Sequence, residues 1–196
     1  MKTRFTMKKS NILVTGPPGC GKSTVIEKVI NRMEEPVGGF FTREIKEKGR
    51  RVGFSINAVD GREGILAHKN IRSRFRVGKY GVNIEDIDSI AVSAMIPAQR
   101  GQVIVIDEIG KMECFSDLFK KTLIQVLDSP NCVIGSIALK GGPFIQGIKN
   151  RDDVTLSSVT PETRDSLVEE ILGSIKKGMQ KKKGDCLKGG AFYEKG

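Results

Sequence analysis

Hydrophobic residues along this chain follow two different spacings. Short apolar runs, each bounded by glycine or polar residues, predict buried strands at 11–15, 38–42, 52–56, 65–67, 102–107, 132–138 and 154–157. Between these runs, apolar residues three and four positions apart predict amphipathic helices over 22–34, 84–94, 115–127 and 161–175. Strands that alternate with helices of this length predict an α/β fold with a mostly parallel sheet covered on both faces.

Two neighbouring regions depart from this alternation. From about 38 to 67 the strands follow one another directly, and Lys46–Arg50 predicts an exposed hairpin turn between the first two. We therefore predict an antiparallel insertion over about 38–67. Residues 68–82 have no clear period and are basic, which predicts irregular structure.

Two helices carry signals at their ends. Asn83 predicts an N-cap for the second helix, and Pro97 predicts where that helix stops. Thr160 predicts the N-cap of the last helix, because Pro161 follows it at a position where proline is favoured.

Length and composition limit the class of protein. A chain of 196 residues, 38% of them hydrophobic, fits one domain that buries a full core. The longest aliphatic run, Val103–Ile106, is far too short to span a membrane. The apolar run after the basic first ten residues is also too short for a signal peptide, so we expect a cytoplasmic protein. The four cysteines are widely spaced and predict neither disulfides nor a zinc site.

The charge lies at the two ends of the chain. The net charge is +10, of which residues 1–10 contribute +4 and residues 173–196 contribute +5. We therefore predict a basic extension over 1–10, one nearly neutral domain over 11–175, and a basic, flexible tail over 176–196. A basic chain first suggests nucleic acid, but here that suggestion rests mainly on the tails.

A glycine-rich turn joins the first predicted strand to the first predicted helix. Its sequence, Gly16-x-x-x-x-Gly21-Lys22-Ser23, matches the P-loop pattern, in which backbone N–H groups cradle phosphate oxygens. Lys22 is predicted to reach the β- and γ-phosphates, and the Ser23 hydroxyl to bind a magnesium ion that bridges them. The predicted nucleotide-binding residues of this turn are Gly16, Pro17, Pro18, Gly19, Cys20, Gly21, Lys22, Ser23 and Thr24.

A second candidate site follows the strand Val103–Asp107. A carboxylate at the carboxyl end of a parallel strand faces the ligand crevice, which is the Walker B arrangement. Asp107 is predicted to hold the magnesium ion, and Glu108 to orient and deprotonate an attacking water. Transfer of phosphate to another substrate does not need that second carboxylate, so the pair favours hydrolysis. The alternative is that the two acids only cap the next turn.

At these residues the chain resembles a known family. The segment Asp107-Glu-Ile-Gly-Lys-Met-Glu113 is similar to the signature of the thermophile-type nucleoside-triphosphatases, also called the cancer-related nucleoside-triphosphatase family. Further similar segments are Gly39–Glu44, Gly49–Phe54, Val77–Val82, Arg151–Val154 and Val159–Asp165, and the resemblance covers about residues 10–172. Thr163 stands where the family usually has Asn.

The resemblance implies a RecA-like P-loop fold of three layers. It also implies a monomer that hydrolyses ATP, GTP, CTP and UTP with Mg²⁺ to diphosphate and phosphate, with loose base selectivity. By position, the resemblance adds a second set of nucleotide-binding residues: Val103, Ile104, Val105, Ile106, Asp107, Glu108, Ile109 and Gly110.

Three further residues are candidates for catalysis. Glu113 is the alternative water base, or else a carboxylate that stabilises the start of a helix. Hydrolysis also needs positive charge against the transition state, and Arg164 or Arg151 is the candidate arginine finger, unless each forms an ordinary salt bridge.

Two other functions stay open at this point. The first is a P-loop kinase that passes the phosphoryl group to a nucleotide or another small acceptor. The second is a nucleic-acid-binding ATPase, for which Phe75 and Tyr80 between basic residues could stack on bases, although core packing is the more common use of such residues. His68 is the sole histidine and predicts no metal site.

Overall fold

The computed structural model describes residues 11–175, and the predicted basic ends, 1–10 and 176–196, lie outside them. These residues form nine strands: β1 (Asn11–Thr15), β2 (Val37–Glu47), β3 (Arg50–Ala58), β4 (Glu63–His68), β5 (Arg76–Val77), β6 (Tyr80–Val82), β7 (Val103–Ile109), β8 (Cys132–Ile137) and β9 (Val154–Ser158). All belong to one sheet, in the order β5-β6-β4-β3-β2-β7-β8-β1-β9.

The helical segments lie between the strands, except for the last, which follows β9. They are α1 (Lys22–Ile30), α2 (Ile84–Asp86), α3 (Ser93–Met95), α4 (Asp117–Asp128), α5 (Pro143–Lys149) and α6 (164–175). A π-helical stretch, Ile87–Val92, joins α2 to α3, so that the three form one continuous segment. A 3₁₀ turn, Glu113–Phe115, precedes α4. None of the helices in this part of the chain is long and apolar enough to cross a membrane.

The sheet has a parallel half and an antiparallel half. In the parallel half, β2, β7, β8, β1 and β9 run in the same direction, so their carboxyl ends meet at one edge. In the antiparallel half, β3, β4, β6 and β5 continue from β2 as successive antiparallel neighbours. The α/β fold with a mostly parallel sheet is thus confirmed.

Strand β2 corrects the predicted insertion at its first boundary. Residues Val37–Phe41 pair in parallel with β7, while Phe40–Glu47 pair with β3. The insertion therefore begins only where β2 extends past its last pair with β7, Phe41 with Asp107. The sequence did not reveal this, because a strand of eleven residues with two sets of partners looks like one strand of the hairpin.

The basic segment 68–82 is also more ordered than predicted. It contains β5 and β6, and β6 is buried and pairs with β4. A two-residue turn at Gly78-Lys79 joins the two strands. The short helix α5 was not predicted either; its buried residues are Ile145 and Ile148. Elements this short form because tertiary contacts hold them, so their own sequence carries a weak signal.

The core consists of two apolar layers, one on each face of the sheet. Alternate residues of β1 point to opposite faces: Leu13 packs in one layer, and Ile12 and Val14 in the other. The first layer includes residues of the 84–95 segment and of α4, and the second includes residues of α1 and α6. Helices on both faces explain why β1 is buried along its whole length.

Both predicted cap residues form hydrogen bonds, but α6 begins at residue 164 and not at Pro161 as predicted. The side chain of Asn83 accepts a hydrogen bond from the backbone N–H of Asp86. Thr160 Oγ1 accepts one from the Thr163 N–H at 3.3 Å, and Thr163 Oγ1 in turn accepts one from the Thr160 N–H at 3.1 Å. This reciprocal pair closes the first turn before α6.

Candidate active site

The predicted phosphate loop lies between β1 and α1, at the carboxyl edge of the parallel half. Gly19 and Gly21 have φ values of 76° and 101°, which only glycine adopts readily. Gly16 is buried, and a Cβ there would lie 2.8 Å from the carbonyl oxygen of Val159. Glycine is therefore required at these three positions by conformation or by close packing.

Lys22 begins α1 and its side chain bends back over the loop. Its Nζ donates hydrogen bonds to the carbonyl oxygens of Gly16 at 3.3 Å and Pro17 at 3.5 Å. The ammonium group thus lies at the mouth of the loop, where a phosphate group would replace the two carbonyl oxygens as its partner.

Asp107 is buried on the neighbouring part of the edge, with 1% of its surface exposed. Its Oδ1 accepts a hydrogen bond from the Ser136 hydroxyl on β8. Its Oδ2 is buried and has no hydrogen-bond partner within the described residues. A buried carboxylate oxygen without a partner is costly, and a cation or a water bound to one would satisfy it.

The unpartnered Oδ2 of Asp107 is a candidate ligand for a magnesium ion. Mg²⁺ prefers oxygen ligands and is usually held by one or two protein groups together with substrate phosphates. Asp107 Oδ2 and the Ser23 hydroxyl at the start of α1 supply ligands of that kind. The residues present therefore fit the ion.

Glu108 comes next on β7 and is only partly buried. Burial raises its pKa above the ordinary value, and the Asp107 charge adds to that rise, while the Lys22 ammonium lowers it. The opposite effects of Asp107 and Lys22 mean that Glu108 lies within electrostatic reach of both. The two halves of the predicted site are thus brought together around this carboxyl.

A third carboxyl group, that of Glu113, lies near Glu108, on the same side of Gly110. It is 4% exposed, and its Oε2 accepts a hydrogen bond from the Gly110 N–H at 3.1 Å. Burial raises its pKa to about 8, and the charges of Glu108 and Asp107 contribute further. A Cβ on Gly110 would lie 2.8 Å from Glu113 Oε2 and 3.4 Å from Glu108 Oε1, so glycine leaves room for both.

Several residues of the second predicted set have side chains in the core. The side chains of Val103, Ile104, Val105, Ile106 and Ile109 are fully buried in the two core layers. Because their backbone is also paired with neighbouring strands, these residues hold β7 in place. That they line the nucleotide site stays a prediction.

The two candidate arginines lie at opposite ends of the sheet. Arg151 precedes β9, at the amino edge, where it binds Asp128 and Asp153. A strand of five residues separates that edge from the crevice, about 17 Å away. These two acids raise its pKa further, against the effect of burial, and the position removes Arg151 as an arginine finger. Arg164 lies at the carboxyl edge, beside the phosphate loop.

The aromatic residues of the basic segment are packed inside. Phe75 contacts Phe115, with ring centroids 5.2 Å apart, and Tyr80 is buried against Phe54, with centroids 5.4 Å apart. Both rings are thus used in packing. His68 accepts a hydrogen bond from the Asn70 N–H through its Nδ1.

Sequence reasoning missed Ser136 and the role of Gly110. Ser136 is the single hydroxyl residue in the otherwise apolar strand β8, which was the available signal. The role of Gly110 depends on two side chains that approach it only in the folded chain.

Strand β1, the glycine loop and α1 follow one another, and β7, two strands away in the sheet, carries the buried Asp107. This arrangement defines a P-loop protein of the nucleotide-binding α/β class. A family model described as NTPase matches residues 11–172. The chain therefore belongs to this NTPase family, as its segments around Asp107–Glu113 suggested.

Two similar proteins are identified by name. The chain is 44% identical over 166 residues to the nucleoside-triphosphatase THEP1 of Thermotoga sp. (strain RQ2), covering 84% of this chain and 95% of that one. It is 37% identical over 184 residues to the cancer-related nucleoside-triphosphatase of Homo sapiens, covering 84% and 96% respectively.

Solved structures agree with this fold. The crystal structure of THEP1 from Aquifex aeolicus has a TM-score of 0.77 at 35% identity, covering 84% of this chain and 98% of that one. The solution structure of the human cancer-related nucleoside triphosphatase has a TM-score of 0.74 at 35% identity, covering 85% and 97%. The P-loop fold implied by the sequence is thus confirmed.

Proposed function

We propose that this chain hydrolyses nucleoside triphosphates, with ATP, GTP, CTP and UTP all accepted, to diphosphate and phosphate in the presence of Mg²⁺. The observation that carries this proposal is Glu108, which lies next to the buried Asp107 and within electrostatic reach of Lys22. The names of the similar proteins support the same activity.

Binding of the substrate begins at the phosphate loop. Backbone N–H groups of the loop and of the first turn of α1 bind the phosphate oxygens, because a glycine-rich loop before a helix N-terminus favours anions. The Lys22 ammonium exchanges its carbonyl partners in the loop for the β- and γ-phosphates. It also stabilises the negative charge that develops as the γ-phosphoryl group is transferred.

Glu108 acts as the base toward the attacking water. A partly buried carboxylate with a raised pKa is a stronger proton acceptor than an exposed one, which suits it to take a proton from water. Asp107 cannot take this role as readily, because its Oδ1 is bound to Ser136 and its Oδ2 would hold the magnesium ion.

Glu113 supports Glu108 in this proposal. It is fully enclosed and bonded to the Gly110 N–H, so it fixes the turn that follows Glu108. Its raised pKa keeps it neutral at pH 7, which avoids a third negative charge beside Asp107 and Glu108.

Ser23 and Asp107 would hold the magnesium ion. When bound, the ion neutralises phosphate charge and orients the β- and γ-phosphates. The absence of any side chain on Gly19 leaves the loop open for the phosphate groups.

The kinase alternative is tested by leaving out every acceptor. We expect purified protein with MgCl₂ and ATP to release inorganic phosphate steadily, in a coupled phosphate assay, without any second substrate. Turnover that occurs only when a nucleotide or other small acceptor is added would instead support a kinase.

The nucleic-acid alternative is tested by adding polynucleotide. We expect the same rate of phosphate release with and without single-stranded RNA or DNA at low salt. A large stimulation that disappears as salt is raised would support a nucleic-acid-binding ATPase. The expectations of a monomer and of a cytoplasmic location remain predictions.

A further inference from the structure

Arg164 lies beside the phosphate loop. A Cβ placed on Gly21 would lie 3.8 Å from Arg164 Cδ, so the side chain passes directly along the loop backbone. The residue is exposed, and within residues 11–175 its guanidinium forms no hydrogen bond or ion pair. The neighbouring acid, Asp165, is paired with Lys28 at 2.8 Å. Lys28 lowers the pKa of Asp165, and the Arg164 charge lowers it further.

The backbone that carries Arg164 is held firmly. The reciprocal hydrogen bonds between Thr160 and Thr163 close the turn immediately before it, and the Arg164 N–H donates to the Thr160 carbonyl oxygen at 3.0 Å. An unpaired guanidinium on a fixed backbone is a group prepared for a ligand.

The sheet order shows which end of a bound triphosphate this group can meet. Asp107 and Glu108 end β7, and the order β7-β8-β1-β9 places β9 three strand spacings, or about 14 Å, from them. Asp107, whose unpartnered Oδ2 fits a magnesium ion that would bridge the β- and γ-phosphates, lies on β7, so the γ-phosphate end lies toward β7. Arg164 follows β9, on the other side of the phosphate loop, which is where the nucleoside end must extend.

We propose that the Arg164 guanidinium lies flat against the nucleobase of the bound triphosphate. This inference rests on the proposed function and names the base contact of the same site. A planar guanidinium stacks on aromatic rings, and every base offers such a face. Base identity is instead read at ring edges, so contact with the face gives affinity for all four bases without selecting one.

The experiment compares the unmodified chain with Arg164→Ala and Arg164→Lys. We measure kcat and KM for ATP and UTP, and the inhibition constant of inorganic tripolyphosphate, which has no base. We expect Arg164→Ala to raise KM for ATP about 3- to 30-fold, with kcat within about twofold and the tripolyphosphate constant unchanged. The rise in KM should be smaller for UTP, because a pyrimidine offers a smaller face.

Arg164→Lys separates planarity from charge. It keeps the positive charge but loses the planar group, so it should retain most of the KM defect. The matched control is Arg32→Ala, an exposed arginine that follows α1, pairs with Glu169 and is remote from the loop. This control should leave all constants unchanged, and circular dichroism should show each variant to be folded.

Three results would overturn the inference. They are an unchanged KM for ATP in Arg164→Ala, an equal loss for ATP, UTP and tripolyphosphate, and a fall in kcat that Arg164→Lys restores. The last two would assign Arg164 to phosphate groups, as the arginine-finger alternative requires. If the unmodified chain released no phosphate, only the proposed hydrolysis would fail. Calorimetric binding of ATP to the unmodified chain and to Arg164→Ala would still test the contact between Arg164 and the base.

Discussion

The two halves of the sheet differ in whether they hold buried acids. In the antiparallel half, acids and bases form exposed pairs, such as Arg51 with Glu44 and Lys69 with Glu47. In the parallel half, Asp107 and Glu113 are buried at the carboxyl edge without a cationic partner among the described residues. Exposed pairs contribute little to stability, whereas buried, unpaired carboxyl groups are costly.

This difference indicates which half carries the chemistry. A group that destabilises the fold and perturbs its neighbours' pKa values marks a functional site more reliably than a group that forms a surface pair. The antiparallel half has four strands beyond β2, as many as the parallel half, yet it offers no comparable cluster of buried acids in residues 11–175. The following substitutions test whether this division holds.

The largest effect is expected from Glu108→Gln. The amide keeps the shape of the side chain but cannot accept the proton, so kcat should fall on the order of 10²–10⁴-fold while nucleotide binding persists. Rates of phosphate release and binding of ATP measure the two quantities separately. The matched control is Glu47→Gln in the antiparallel half, which should keep full turnover. Near-normal turnover in Glu108→Gln would move the role of base to Glu113.

The next effect is expected from Ser136→Ala. This change removes the donor to Asp107 Oδ1 and leaves that buried oxygen unpaired. Loss of such a supporting contact typically weakens metal binding about 10- to 100-fold, so the Mg²⁺ concentration needed for half-maximal rate should rise by that factor. Ser129→Ala removes a hydroxyl remote from the site and serves as the control. An unchanged Mg²⁺ requirement would contradict the role given to Asp107.

Glu113→Gln should change the pH dependence of stability. The Glu113 pKa rises from 4.5 to about 8 on folding, so the folded chain holds a proton that the unfolded chain releases in this range. Its contribution to stability is therefore full below about pH 4.5 and falls with rising pH, by up to about 1.4 kcal/mol per pH unit, until it levels near pH 8.

The measurement is the melting temperature between pH 5 and 8, without nucleotide or Mg²⁺. Because glutamine does not ionise, Glu113→Gln should lose less stability across this range than the unmodified chain. Glu85→Gln replaces an exposed glutamate and should keep the original profile. Parallel curves for all three proteins would mean that Glu113 ionises normally.

The smallest effect is expected in the antiparallel half. The Tyr80 hydroxyl accepts a hydrogen bond from Arg51 Nε at 3.2 Å and donates one to the Arg51 carbonyl oxygen at 3.3 Å. Tyr80→Phe should therefore cost about 0.5–1.5 kcal/mol of unfolding free energy, measured in urea, and leave kcat within about twofold. A large fall in kcat would show that this half takes part in the reaction.

The parts of the site that could be predicted are local in sequence. The phosphate loop from Gly16 to Thr24 is one continuous segment, and Asp107 with Glu108 ends a strand whose apolar run is obvious. The contacts that could not be predicted join distant segments: Ser136 reaches Asp107 across 29 residues, and Arg164 reaches Gly21 from the far end of the domain.

The same distinction applies to the fold. Strands β1, β7, β8 and β9 carry their own apolar patterns, so the sequence was sufficient to predict them. The short strands β5 and β6 depend on pairing with each other and with β4, and the double role of β2 depends on where its pairing with β7 stops. The apolar pattern of these residues does not indicate which strands they will pair with.

Strand β2 joins the two halves of the sheet mechanically. Phe41 is the neighbour of Asp107 on β7 and also of Asn57 on β3. One residue thus couples the acid-bearing strand to the hairpin that extends to Glu47 and Arg50. Because β2 is continuous and hydrogen-bonded to both neighbours, a displacement of the hairpin would also move the strand beside Asp107.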